Sequence, residues 1–253
     1  MKGTSMFKLI IAILTLLGLF KPFQAEAQNY IGLGIAREAT HPGSAIDENN
    51  ILPVVSYNTG MFFVSSVKGV PEFGASWPIT ENLTVSGIFV IEHERKSSDS
   101  NTLTSNELTA KDRSVSFGSL IEYKTTIGPV PLAFLVRLRA RNGDHDGFLA
   151  DQRLTMGVFQ NRFMQAQVFG QLTYSDQDAM NADFNLEPSS RAIELDSGFS
   201  QVAIGLQSVF VLNDDWSLLL SAERRQLRGD AKTAPITDRE NVNQVIAGVT
   251  FQF

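Results

Sequence analysis

Stretches of about ten residues in which every second side chain is apolar recur from Tyr30 to the end of the chain. Nothing else in the sequence limits the fold as much. A period of two belongs to a β-strand with unlike faces. The closing stretch, residues 242–253 (VNQVIAGVTFQF), shows it plainly. Val245, Ala247, Val249, Phe251 and Phe253 form an apolar row, and Gln244, Ile246, Gly248, Thr250 and Gln252 a row that is mostly polar or small. The strand ends on an aromatic. The last strand of a bacterial outer-membrane β-barrel ends this way, and so can an edge strand of a soluble sandwich.

The connections separate the two folds. Alternating segments can be marked at 30–37, 51–57, 61–67, 70–78, 83–93, 113–124, 131–141, 148–159, 163–174, 199–212, 216–226 and 242–253. Short turns follow every second segment: Asn58-Thr59-Gly60, Thr80-Glu81-Asn82, Gly128-Pro129, Gln160-Asn161-Arg162 and Asn213-Asp214-Asp215. The other connections are mostly long and polar, at 38–50, 94–112, 142–147, 175–198 and 227–241, with Lys68-Gly69 a tight turn in the least regular region. Turns short at one end and long at the other, with polar faces rich in Gln, Thr and Arg, describe a transmembrane barrel. The expected fold is an all-β antiparallel barrel of 12 strands, or ten if the pair between Met61 and Pro78 lies outside the wall. An even count puts both termini at the short-turn end, the periplasmic side.

Residues 1–27 read as a secretory signal peptide. Lys2 and Lys8 precede an apolar run, 9–20, and Ala25-Glu26-Ala27 is a small-x-small cleavage site. The run is too short for a bilayer-spanning helix, which needs about 20 residues. Residues 28–253 would then form the barrel. The chain has no Cys, so there is no disulfide framework and no thiol for lipid attachment. Its net charge of −6 argues against a nucleic-acid partner. Eighteen Phe, many in alternating segments, suit a wall that faces lipid.

Several short motifs, in order, carry a family resemblance: Tyr30-Ile31-Gly32-Leu33-Gly34 in the first strand; Pro53 ahead of Tyr57, Gly60, Phe62 and Phe63; Gly147-Phe148-Leu149-Ala150-Asp151; and Asp215-Trp216-Ser217-Leu218, Arg228-Gly229-Asp230-Ala231, Asp238-Arg239 and the final strand. Together they resemble the MltA-interacting protein (MipA/OmpV) family of outer-membrane proteins over most of the mature chain. The resemblance implies a non-enzymatic scaffold that links a lytic transglycosylase to a peptidoglycan synthase. Two places depart from the pattern. His41-Pro42-Gly43-Ser44 has His where the family has Tyr, and 175–198 is divergent. Partner or ligand preference would sit in such loops.

The residues themselves suggest a lumenal charge network. Arg137, Arg139 and Arg141 share one face of their strand; Glu122 lies on the polar face of the strand before, Glu92 on the one before that, and Glu94 just beyond its end. Buried charges must be paired or wetted. Such rows either plug and stiffen the barrel or form an anion-selective constriction. Phe251 and Phe253 are the expected membrane-insertion signature, read by the barrel assembly machinery. No catalytic, cofactor-binding or metal-binding residues are expected. The EF-hand-like Asn142–Gly147 run needs a carboxylate at its twelfth position, which is Arg153. Asp144 and Asp146 flank His145, the one hint of a rim hydrolase, and neither Gly-x-Ser-x-Gly nor His-Glu-x-x-His occurs. The acidic loop 175–198 would be solvated or touch lipopolysaccharide through bridging cations. Three functions stay open: the scaffold, a narrow channel or stress-responsive surface protein, and the hydrolase.

Overall fold

The computed structural model describes residues 29–67, 70–92, 94–96, 110–186 and 193–253. The expected signal peptide, Lys68-Gly69 and His93 lie outside the described residues. Twelve strands follow in order: β1 Tyr30–Ala39, β2 Asp47–Thr59, β3 Phe62–Ser65, β4 Glu72–Pro78, β5 Leu83–Glu92, β6 Ser114–Ile127, β7 Val130–Arg141, β8 Gly147–Gln160, β9 Met164–Ser175, β10 Gly198–Val211, β11 Trp216–Leu227 and β12 Asn241–Gln252. Each pairs antiparallel with the next, and β12 returns to β1, so the sheet closes into a barrel. At the seam Tyr30 faces Gln252 and Gly32 faces Thr250. β3 and β4 are short, yet both are in the wall, which makes the count twelve rather than ten.

The two-faced pattern sorts as period two requires. Val245, Val249 and Phe251 on β12, and Ile31, Leu33 and Ile35 on β1, point outward and exposed, while Thr250 and Gly248 are buried inside. Aromatics gather around the short turns: Tyr57, Trp77, Tyr123, Phe163, Trp216 and Phe253 are all exposed there. Trp216 packs on Phe251 at 5.2 Å, and Tyr57 stacks on Phe253 at 6.1 Å. Such a girdle marks one membrane interface of a transmembrane barrel.

The long-loop end departs from the expectation of plain loops. Residues 177–184 form helix α1 (Gln177–Phe184), and α2 spans Gly229–Thr233. Asp176 caps α1, its carboxylate accepting the Ala179 N–H at 2.9 Å. Met180, Phe184, Leu195, Leu227, Ala231 and Ala234 bury one another in a small apolar cluster above the wall. A stretch that reads as acidic solvent loop thus carries its own core.

The lumen also differs from a uniformly polar interior. Toward the short-turn end, Phe63, Ile88, Val90, Leu120 and Leu135 point inward and pack together. Apolar side chains fill interior space without needing hydrogen-bond partners. Arg137, Arg139 and Arg141 follow Leu135 along the same inward face toward the long-loop end, while Glu122 and Arg153 stand directly across from Leu135 on its two neighbouring strands.

Candidate functional site: the lumenal charge network

β7 sets Arg137, Arg139 and Arg141 on successive inward positions, each at most 6% exposed. Arg137 donates from Nε to Glu72 Oε2 at 3.0 Å and from Nη1 to Asp151 Oδ2 at 3.4 Å. Arg139 reaches Glu92 Oε1 at 3.0 Å and Asp151 Oδ2 at 3.3 Å. Arg141 donates to both carboxylate oxygens of Asp183, at 2.9 and 3.0 Å. Strand register explains the centre. Asp151 stands directly across from Arg137, and its other oxygen accepts the Thr173 hydroxyl at 2.8 Å. Opposite Arg139 is Gly118, where a Cβ would come within 1.8 Å of the Leu138 carbonyl oxygen. Below, Arg153 lies on the Phe169 ring, 3.6 Å from its centroid.

The structure brings only part of the sequence-derived set together. Glu92 meets Arg139 and accepts the Ser116 hydroxyl at 2.7 Å. Glu122 instead pairs with Lys124 at 3.2 Å, and Glu94 with Lys96 at 3.6 Å, both lysines being exposed. The carboxylates at the guanidinium groups are Glu72, Glu92, Asp151 and Asp183. Asp151 was recoverable, since it alternates with Arg153 on the polar face of the next strand. Glu72 sits in the irregular region and Asp183 in a presumed loop, where alternation says nothing.

The network is roofed from the long-loop end. Asp183 hangs from α1, and Arg95 donates to its main-chain oxygen at 3.0 Å. His145, in a 3-10 turn (Gly143–His145), is buried, and its Nε2 lies 3.1 Å from the Asp112 carbonyl oxygen. Burial, with Lys111 and Arg141 nearby, pushes the His145 pKa below its ordinary 6.5, although Asp183 opposes this. For Asp183 burial acts upward, but Arg141 and then Lys111 outweigh it and hold the carboxyl below its ordinary 3.8. The signs follow. A depressed His favours the closed roof least once the opened form can bind a proton, so roof stability falls as pH drops through about 6.5. Asp183 adds stability above its ordinary range, lost on further acidification. Amide exchange across α1, corrected for intrinsic rates, is expected to quicken between pH 7 and 5, and His145→Gln to flatten that slope.

Between roof and network lies a cavity of about 550 Å³, bordered by Arg139, Arg141, Asp151, Gln171, Thr173 and Asp183. A closed twelve-stranded wall with an apolar outer band, an aromatic girdle and a charged, roofed lumen defines the class: this is an outer-membrane β-barrel. The family model described as MltA-interacting protein MipA matches residues 31–253, and the chain belongs to that family. No curated protein matches the sequence. Among solved structures it is similar to LpxR from Salmonella typhimurium, with a TM-score of 0.54 and 9% identity over 88% of this chain and 100% of that one. It is also similar to the NanC porin, with a TM-score of 0.51 and 10% identity over 88% and 100%. At such identities the likeness is one of fold.

Proposed function

We propose that this barrel is a non-catalytic outer-membrane anchor that holds a lytic transglycosylase, and through it a peptidoglycan synthase, at its periplasmic rim. The observation that carries the reading is the family match over residues 31–253, whose description names interaction with MltA. The lumen supports it. An apolar plug under a paired charge layer suits a wall built to be held shut better than a pore. The rim available is a ring of five short connections, around Gly60, Glu81, Gly128, Asn161 and Asp214. A stable interface buries about 1,200 Å² or more, so several turns must act together. Purified barrel is expected to retain an MltA-type transglycosylase. Joint charge reversal of Glu81, Asp214 and Asp215, all exposed, should weaken retention by about tenfold or more. Retention that ignores the rim, or no retention at all, would remove the reading.

Phe251 and Phe253 serve in this proposal as the terminal signature read by the assembly machinery. Phe253 is exposed at the rim, where its ring stacks on Tyr57, so truncation removes little packing. Phe253→Ala should therefore lower the amount of folded barrel in cells while leaving its stability after refolding nearly unchanged. Equal amounts in cells would show that the end of the chain is not read.

A further inference from the structure

Three adjacent strands at the seam change character at the same end of their outward rows. On β11 the outward positions read Trp216, Leu218, Leu220, Ala222 and then Arg224. On β12 they read Phe251, Val249, Ala247, Val245 and then Asn243, and on β1 Ile31, Leu33, Ile35 and then Arg37. Arg224 lies eight residues beyond Trp216, which is part of the aromatic girdle at the short-turn end. At about 3.4 Å per residue and a strand tilt of about 40°, that is roughly 21 Å along the barrel axis, against an apolar band about 25 Å tall. The arginines therefore stand where hydrocarbon gives way to head groups on the long-loop side, which faces the outer leaflet.

Elsewhere the same end of the wall is aromatic. Phe148, Tyr174 and Phe199 hold it on β8, β9 and β10, with Tyr174 edge-on to Phe199 at 6.0 Å. The seam carries guanidinium groups in that place, on a chain whose net charge is −6. Little inside the protein neutralises them. Arg224 donates to the neutral Asn241 Oδ1 at 3.3 Å. Arg37, its side chain 68% exposed, lies 3.6 Å from Asp47, a carboxylate that Arg239 also holds. An exposed pair of that kind contributes little. Register sets the spacing of the two arginines. Arg37 faces Val245 and Val245 faces Ala222, so Arg37 and Arg224 are two strands and two residues apart. Their Cα atoms are then about 12 Å from one another.

Below the arginines the outward face is low. Ala222 and Ala247 are small and exposed. Beyond them an apolar groove of about 740 Å³ lies between Leu33, Pro53, Val249, Phe251 and Trp216. It opens to the lipid side, since Leu33, Val249 and Trp216 are outward and exposed. Guanidinium groups pair with phosphate through two parallel hydrogen bonds, and basic groups at a bilayer surface favour anionic heads.

We propose that the seam face of β11, β12 and β1 binds the bisphosphorylated glycolipid of the outer leaflet, lipopolysaccharide. Arg37 and Arg224 each take one phosphate of its disaccharide head. Asn243, exposed between them, donates to the sugar. The acyl chains run down over Ala222 and Ala247 toward the groove. A phospholipid has a single phosphate and engages only one of two arginines set this far apart, so the site prefers the glycolipid. The bound lipid lies across β12 and β1, where the first and last strands meet.

The test uses the folded barrel in detergent, with retained lipid counted by native mass spectrometry. Bisphosphorylated lipid A is expected to stay bound as a single molecule. Lipid A stripped of both phosphates, and phosphatidylglycerol, should bind at least about tenfold more weakly. Arg37→Ser combined with Arg224→Ser, both exposed, should lower lipid A retention by about tenfold or more and leave the unfolding temperature unchanged. Arg113→Ser, at another exposed arginine on the long-loop side, should leave retention as it was. Ala247→Trp, which obstructs the path of the chains without touching a charge, should weaken it. No retention of lipid A by the parent barrel would overturn the proposal, as would equal retention of the dephosphorylated lipid or of phosphatidylglycerol. So would full retention by the double arginine variant or by Ala247→Trp, or a loss with Arg113→Ser as large as with the pair.

Discussion

Replacing Arg137 by alanine is expected to destabilise the barrel by about 3–5 kcal/mol. Arg137 is 1% exposed and holds two carboxylates, Glu72 and Asp151. Removing it leaves the Glu72 carboxylate beside the apolar cluster with no cation, and one oxygen of Glu72 already lacks a hydrogen-bond partner. The cost comes from that stranded charge more than from the lost attraction. Glu72→Leu combined with Arg137→Leu should therefore cost clearly less than Arg137→Ala alone. Lys124→Ala, which removes an exposed lysine from its pair with Glu122 near the short-turn end of the lumen, should stay within about 1 kcal/mol. Urea unfolding of the refolded barrel, followed by the fluorescence of Trp77 and Trp216, measures all three. Equal midpoints for Arg137→Ala and Lys124→Ala would show that water, and not Arg137, neutralises the layer.

Truncating Phe184 to alanine should release the roof while sparing the wall. Phe184 is fully buried in the cluster of Met180, Leu195, Leu227, Ala231 and Ala234, and burying residues of this size is worth about 3–5 kcal/mol to the structure that contains them. That structure is small. α1 is tied to the wall mainly by the cluster's contact with Leu227 of β11, by Arg141, which pairs with Asp183 and donates to the Ala179 carbonyl, and by the Asp176 N–H, which donates to the Phe148 carbonyl. Its opening is a local event, distinct from unfolding of the barrel. Amide exchange across α1 should rise by about a hundredfold or more, and the urea midpoint of the wall should shift little. Loss of both together would make roof and barrel one cooperative unit.

How much of this could be read beforehand depends on what kind of signal each residue carries. β7 was legible because Leu132, Phe134, Val136 and Leu138 alternate with Ala133, Leu135, Arg137 and Arg139, and a lipid-facing side tolerates no charge. The seam was legible for the same reason. β3 was ambiguous because four residues hold too little of a period. Ile88, Val90 and Leu120 point inward although apolar, so an inside-polar rule passes over the plug they make with Phe63. α1 was hidden by its acidic surroundings, and its signal was the Asp176 cap ahead of Ala179 and Met180. Of the charge network, the arginine row lies along one strand and shows in one dimension. Its partners come from β4, β5, β8 and α1, and only closure of the sheet makes them neighbours.

Closure also leaves the two ends of the described chain touching, since the Phe253 N–H donates to the Asn29 carbonyl at 3.2 Å. The order in which strands are synthesised is therefore not written into the wall. A circular permutant, with the ends joined by a short linker and new termini opened at Gly128-Pro129, would keep every strand pair. It would begin at β7 and end on β6 at Ile127, carrying no terminal phenylalanine. Refolded in vesicles, it should match the parent wall. Delivered through the cell, it would show how far the position of one aromatic residue, apart from any contact it makes, decides whether the barrel reaches the membrane.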